Sequence, residues 1–266
     1  MNKYLSIFKI SFQQEFVYRL NFIMWRVRNV LQIFLIFFLW DTIFSDPGRV
    51  VFGYDRAKIL TYIFGLAIMK AIVTSSRTID VAGEISDGKL SNYLLKPVSY
   101  FKYWFTRDIA SKSLNLIFAV FEVNILYFIL KPPFFFQTDP FLLVLFLVSL
   151  LGGVLLYFFL LFIFDMFAMW YPEQGWGPIF FLFIFVEFLG GGLFPIDILP
   201  AAIQRGLYLT PFPYLYFIPL QIYLGKLGIL ESLQAVLVGG VWIVVSGFTL
   251  KKLWQAGLLV YKSEGR

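Results

Sequence analysis

Residues 141–170 read FLLVLFLVSLLGGVLLYFFLLFIFDMFAMW, with Asp165 as the one charged residue in the run. An α-helix that crosses the hydrocarbon core of a bilayer needs about 20 apolar residues, within a range of about 17–25. The run is longer than that range, so we expect its helix to be tilted, kinked at Gly152 and Gly153, or extended beyond the bilayer. The stretch therefore predicts a membrane-spanning helix.

Further apolar runs indicate that the whole chain is built in this way. Hydrophobic residues make up 60% of the 266 residues, Phe occurs 34 times and the mean hydropathy is +0.80, which leaves too little polar sequence to coat a soluble core. The fifth run is short and ends in Gly-Gly-Gly-Leu-Phe-Pro, which predicts a helix that breaks inside the membrane. We expect an all-α polytopic membrane protein, with six transmembrane helices in a single domain over residues 1–266, from the runs at 22–44, 59–75, 109–130, 141–170, 179–193 and 233–250.

The chain contains neither cysteine nor histidine. Without cysteine there are no disulfides, thiol nucleophiles or thiolate metal ligands. Without histidine the commonest general base and the commonest metal ligand are also missing. This composition argues against zinc proteases and Ser-His hydrolases, so we predict no catalytic residue and no metal site.

The distribution of positive charge predicts the orientation of the chain. Lys and Arg are concentrated near the first run, between the second and third runs, and in the C-terminal tail. Because cytoplasmic loops carry an excess of Lys and Arg, we expect both termini in the cytoplasm and an uncleaved first span. The net charge of +6 is assigned to contacts with anionic membrane lipids and not to nucleic acid.

An interfacial amphipathic helix is expected over residues 2–19. Apolar and polar side chains recur there at spacings of three and four, which places them on opposite faces of a helix. The helix is interpreted either as a connecting element on the cytoplasmic surface that touches a partner or as a simple membrane anchor. The apolar stripe is Leu5, Phe8, Phe12 and Phe16, and the polar stripe is Asn2, Ser6, Lys9 and Gln13.

The loop at residues 78–97 is compact and carries both signs of charge. We expect a short helix to end at Asp87 and Gly88, since glycine tolerates the left-handed geometry of a helix C-cap. Ser91 is expected to cap the next turn. A bare linker needs none of these features, so the loop is interpreted as a docking surface whose candidate residues are Asp80, Glu84, Asp87, Gly88, Lys89, Leu90, Lys96 and Pro97.

Two stretches resemble the bacterial ABC-2 type transporter permeases. Residues 84–98, EISDGKLSNYLLKPV, are similar to the inner loop of that family. Residues 190–200, GGGLFPIDILP, followed by Gln204 and by Thr210-Pro211-Phe212, resemble the family's segment after the fifth span. Six spans, cytoplasmic termini and an N-terminal amphipathic helix complete the resemblance, which covers nearly the whole chain.

The resemblance implies a transport subunit and not an enzyme. Such permeases lie in the bacterial cytoplasmic (inner) membrane and pair with a second permease, identical or related. Residues 78–97 would act as the coupling segment that docks on separate ATP-binding cassette subunits, and residues 190–212 would form an outer re-entrant segment. The chain has no GxxxxGK[ST] pattern, so we expect ATP and magnesium on the partner and no cofactor in this chain.

Several residues are candidates for the translocation path or its gate. A charge at mid-bilayer costs about 2.5–3.5 kcal/mol, so charged residues in the runs either line a path or an interface, or lie near span ends, snorkel or pair. We favour the second interpretation (a span end, snorkelling or pairing) for Lys70, which lies within reach of the inner surface, and a functional role for Glu187. Asn115 and Asn124 are expected to hydrogen-bond between helices. The path and gate candidates are Glu122, Asp165, Glu187, Gly190, Gly191, Gly192, Pro195 and Pro200.

Three functional hypotheses follow. The first is a permease subunit of an ATP-driven exporter. The second is a membrane scaffold that recruits a soluble partner without moving a substrate. The third is a membrane-embedded enzyme, which the absence of histidine and cysteine disfavours.

Overall fold

The computed structural model describes residues 3–15, 19–46 and 48–262. The chain is 78% helical, and these described ranges contain no β-strand, which confirms the all-α prediction. The α-helices are α1 (Lys3–Gln14), α2 (Arg19–Ile43), α3 (Arg56–Val73), α4 (Val81–Ser86), α5 (Leu90–Leu94), α6 (Tyr100–Leu130), α7 (Pro140–Asp165), α8 (Trp176–Leu189), α9 (Ala201–Tyr208), α10 (Phe217–Tyr223) and α11 (Ile229–Val260).

Four helices of the described chain are long and apolar enough to cross a membrane: Ile23–Ile43, Tyr100–Leu130, Pro140–Met169 and Ile229–Val260. A fifth is added if α3 and Arg77–Ser86, which meet at an angle of 46°, form one broken span. Helix α8 has 14 residues, so it is about 21 Å long and shorter than the hydrocarbon core. The count of six spans stays a prediction.

Helix α7 lies at the centre of the bundle. It packs against α11, α10, α8 and α3, and half of its most apolar stretch is buried. The helix begins sharply because the Asp139 carboxylate accepts hydrogen bonds from the N–H groups of Phe141 and Leu142 and Pro140 occupies its first turn. It runs unbroken through Gly152 and Gly153 to Asp165.

Both described ends of the chain lie at the same end of the bundle. Lys3 donates a hydrogen bond to the carbonyl of Pro97 at 2.9 Å, and the hydroxyl of Tyr261 accepts one from the N–H of Ser91. We call this the α4–α5 end, and the opposite one the α9 end. An even number of crossings between the two described ends fits this placement.

The structure corrects two details of the sequence reading. Helix α1 ends at Gln14 and not at residue 19; Asn2 and Phe16 lie outside the described residues. The prediction that Ser91 caps the next turn is wrong, because Lys89 is the N-cap of α5 and Ser91 donates its hydroxyl to the carbonyl of Gly88.

The chain after α8 approaches the middle of α7 and turns back. The carbonyl oxygens of Tyr214 and Leu215 lie 3.3 Å from the position that a Cβ on Gly153 would occupy, and Gly153 is halfway along α7. From there α10 leads back to Tyr223, whose ring contacts Phe146 near the start of α7.

Candidate functional site

A cavity of about 1150 Å³ lies between α2, α3, α6, α7 and α8. We call it the central cavity. At the α4–α5 end it is lined by Glu15, Arg77 and Asp80, and at its far side by Glu187 and Leu193. Its wall therefore includes both intramembrane side chains and the first residues of the coupling segment.

One ion pair joins two walls of the central cavity. The ammonium group of Lys70 on α3 donates a hydrogen bond to the carboxylate of Glu187 on α8 at 2.7 Å. The two side chains are 23% and 35% exposed, so the pair is partly open to the cavity. Pairing with another intramembrane charge was one of the structural alternatives favoured for Lys70, and its contact with Glu187 is a pairing of that kind.

A second charged cluster joins α2 to α6. The guanidinium of Arg26 lies 3.4 Å from the carboxylate of Glu122 and donates to the side-chain oxygen of Asn115. This contact confirms the interhelical role expected of Asn115. Asn124 instead donates to the carbonyl of Val120 in its own helix, so an interhelical role for it is not seen.

Glu15, which directly follows α1, lines the cavity at the α4–α5 end. The Arg77 guanidinium, which follows α3, makes two hydrogen bonds to the Glu15 carboxylate at 2.6 and 2.7 Å. It also lies 3.8 Å from Asp80. This bidentate contact fixes the end of α1 beside the beginning of the coupling segment.

Arg28 also lines the central cavity but differs from the other cations there. Its guanidinium lies over the Trp25 ring at 4.1 Å from the ring centroid. Its hydrogen bond goes to the amide oxygen of Asn29 at 3.3 Å. Sequence reasoning counted Arg28 only as a positive charge near a span, since nothing in the local sequence shows which way its side chain points.

The remaining path candidates do not line the central cavity. Asp165 is fully buried at the end of α7, where it faces the N–H of Ala82 in α4, although neither carboxylate oxygen makes a hydrogen bond of normal geometry. The other candidates outside the cavity wall are Gly190, Gly191, Gly192, Pro195 and Pro200, which belong to the turn that follows α8.

The turn after α8 is tightly packed. Gly191 has a φ of +81°, and its carbonyl accepts a hydrogen bond from the Tyr62 hydroxyl at 2.8 Å. A Cβ on Gly191 would come within 2.7 Å of that hydroxyl and 3.1 Å of Phe217. Glycine at this position therefore satisfies both the backbone conformation and the close approach.

The coupling segment forms two short helices at the α4–α5 end. Glu84 on α4 accepts a hydrogen bond from the Tyr93 hydroxyl at 3.2 Å and lies 3.9 Å from Arg107 on α6. Burial, followed by the contacts with Tyr103 and Glu84, raises the pKa of Tyr93. Tyr93 thus stays a hydrogen-bond donor that links α5 to α4.

The turn between the two helices exposes its charged side chains, while Gly88 at its centre is buried. Gly88 has a φ of +70°, which confirms the left-handed geometry predicted for it. Asp87 and Lys89 flank it and pair at 2.8 Å, each more than half exposed, and the hydrogen bond to Asp87 raises the pKa of Lys89. Beyond the turn, Leu90 is fully buried while Leu95 is 87% exposed.

The other candidate residues in this segment contact neighbouring side chains or bind them through a backbone carbonyl. The ammonium of Lys96 lies 5.2 Å from the centroid of the Tyr93 ring, and the carbonyl of Pro97 holds Lys3 of α1. Asp80 is 43% exposed and faces Arg77. The structure thus collects these residues on one end of the bundle, while their docking role stays a prediction.

A charged cluster that sequence reasoning missed lies at the α9 end. The Asp197 carboxylate accepts hydrogen bonds from the Tyr54 hydroxyl, the Gln221 amide and the Lys226 ammonium. Burial raises the pKa of Tyr54, and Asp197 adds to that shift; burial also lowers the pKa of Lys226, against the opposing charge of Asp197. The cluster ties the loop before α3 to the segments flanking α9 and α10.

Comparison with known proteins places the chain in a family. The family described as ABC-2 family transporter protein matches residues 30–265, and the chain belongs to that family. No curated protein matches the chain. Membership identifies a membrane permease of the ABC transporter class, a transport subunit that is not itself catalytic. In the described part of the chain, no cluster of acidic side chains could hold a metal ion.

Proposed function

We propose that this protein is the membrane-spanning subunit of an ATP-driven exporter, in which the central cavity is part of the translocation path. One observation carries the proposal: the cavity is lined both by charged intramembrane residues, such as Lys70 and Glu187, and by Ile79 and Asp80 at the start of the coupling segment. A displacement of that segment would therefore change the shape of the cavity directly.

The energy source in this proposal is a separate subunit. The chain has no phosphate-binding loop of the GxxxxGK[ST] type, so ATP and magnesium would bind to partner ATP-binding cassette subunits. The exposed side chains of Asp87 and Lys89 beside Gly88, and the exposed Leu95 at the end of α5, present a surface of suitable character for that contact. A second permease, identical or related, would complete the membrane part of the transporter.

The outer closure of the path would be formed by residues 190–212. Helix α8 stops at Leu189, and directly after residues 190–212 the backbone of Tyr214 and Leu215 packs against the middle of α7 at Gly153. Irregular backbone at membrane depth is tolerated where protein or water satisfies its polar groups. Here the Gly191 carbonyl is satisfied by Tyr62, which supports a re-entrant segment and a total of six spans.

The proposed orientation in the membrane rests on the distribution of Lys and Arg and on the position of both described chain ends at one end of the bundle. The α4–α5 end carries the coupling segment and both described ends of the chain, and the positive-inside rule favours the cytoplasm for it. We accordingly place the protein in the bacterial cytoplasmic membrane, with α1 along the inner membrane surface and with lipids as further partners.

The test is reconstitution with the partner. Co-purification from native membranes should recover an ATP-binding subunit whose hydrolysis depends on residues 78–97. ATP-driven movement of a substrate in vesicles would establish export. Recovery of a bound partner whose hydrolysis moves no substrate would favour the scaffold hypothesis, and recovery without any nucleotide-binding partner would contradict the proposal.

A further inference from the structure

We propose that Arg28 is the anion-recognition residue of the central cavity, and that the substrate is an amphiphile which carries an anionic group on an apolar body. The proposal rests on the assignment of the central cavity to the translocation path. It adds the substrate class and the residue that selects it.

The first support is the charge pairing around the cavity. Its wall carries Arg26, Arg28, Lys70 and Arg77 as cations. Arg26 lies beside Glu122, Lys70 beside Glu187, and Arg77 beside Glu15 and Asp80. Among the cavity-lining cations of the described chain, Arg28 alone forms no ion pair with a described carboxylate. Glu187 acts on it only at a distance, as a favourable charge.

The second support is the geometry of the guanidinium. Its face is covered by the Trp25 ring at 4.1 Å, and one nitrogen donates to Asn29. A guanidinium has five N–H donors along its edge, and stacking on an aromatic face leaves that edge free to bind a carboxylate or phosphate with two hydrogen bonds. Arg28 is thus held in place with most of its donors unused.

The third support is the depth of Arg28. It follows Ile23, the first residue of the candidate span Ile23–Ile43, by five positions, which corresponds to about 7.5 Å along the helix. A cation within a span and without a counter-charge carries part of the cost of a mid-bilayer charge. An anionic ligand group would remove that cost while it occupies the cavity.

The apolar part of the wall defines the rest of the substrate. Besides Arg28, the cavity is lined by Ile33 and Ile36 of α2, Ile63 and Leu66 of α3, and Phe183 of α8. A small inorganic anion would leave this surface unused, whereas an alkyl or aryl body would cover it. A cavity of about 1150 Å³ has room for a molecule of this type.

The experiment compares two probes of equal chain length, decyl phosphate and decyltrimethylammonium, on the full-length protein with its ATP-binding subunit in nanodiscs. We expect decyl phosphate to bind at least tenfold more tightly. Arg28→Gln should weaken its binding at least tenfold, and Arg28→Lys, which keeps the charge without the planar fork, should fall between. Arg205→Gln removes the same charge from exposed α9 and should leave binding unchanged.

Three results would overturn the inference: equal binding of the two probes, unchanged binding by Arg28→Gln, or displacement of decyl phosphate by an equal concentration of inorganic phosphate. If Arg28→Gln separates two differently tagged copies while probe binding persists, Arg28 is an interface residue and the inference is wrong. ATP hydrolysis measured on the same samples distinguishes failure of the proposed transporter function from failure of the proposed substrate class. Hydrolysis that depends on residues 78–97 without selective probe binding refutes the substrate class alone.

Discussion

Lys70 and Glu187, which are 117 positions apart in the sequence, form a 2.7 Å ion pair across the central cavity. The contact joins α3, which leads into the coupling segment, to α8, which ends at the glycine turn. Because each partner lies on a different wall, the pair couples the two sides of the cavity.

A double-mutant cycle should measure this coupling. Lys70→Met and Glu187→Gln should each lower the free energy of unfolding in detergent by about 1–2 kcal/mol, less than for a fully buried pair because both side chains are partly exposed. The exchanged variant Lys70→Glu with Glu187→Lys should recover at least half of the loss. Additive effects without recovery would show that the contact contributes nothing.

The turn at Gly88 offers a test of the coupling segment. Gly88→Val places a β-branched residue at a φ of +70°, which only glycine adopts easily, so transport should fall while membrane insertion persists. Gly240→Val is the matched control, since Gly240 lies within α11, outside the coupling segment, and a Cβ there meets nothing within 4 Å. Normal transport by Gly88→Val would count against the coupling role.

Gly191 tests the packing of the turn after α8. Gly191→Ala would place a methyl group 2.7 Å from the Tyr62 hydroxyl, at a φ of +81°. We expect a lower melting temperature and reduced transport, through loss of the hydrogen bond from Tyr62. Gly240→Ala, in open space on α11, should be neutral or slightly stabilising, and equal effects of the two changes would contradict this interpretation.

The contact between Glu15 and Arg77 predicts how α1 is held. Glu15→Gln removes the charge that the Arg77 guanidinium binds with two hydrogen bonds, so α1 should detach more often. Limited trypsin cleavage after Lys9 should then be several-fold faster in vesicles that expose this end. The control is Glu173→Gln, an exposed acid at the same end; similar cleavage of both variants would indicate that α1 is held by its apolar side chains.

Local features of the fold could be predicted because their causes are local. Helical structure follows from long apolar runs, and the left-handed Gly88 follows from its place after a short helix. The pairing of Lys70 could not be predicted, because a lone charge in an apolar run gives no indication of which distant side chain it meets. The two asparagines of α6 show the same limit, since only Asn115 faces another helix.

The site was harder to predict than the fold. Glu122 and Glu187 were identified by the cost of a charge in an apolar run, and both line the cavity. Asp165 was identified by the same argument and is buried elsewhere, under α4. Arg28 and Asp197 were not selected, since the direction of an arginine on a helix and the fold of a loop depend on tertiary packing.

Helix α6 extends without a break over 31 residues, which makes it about 46 Å long against a hydrocarbon core of about 30 Å. Near its start Arg107 contacts Glu84 of the coupling segment, and further along Glu122 contacts Arg26 in the cavity wall. These two contacts are about 22 Å apart along the same continuous helix. Because α6 is unbroken between the two contacts, we expect a displacement of its first turns by the coupling segment to move Glu122 in the cavity wall as well.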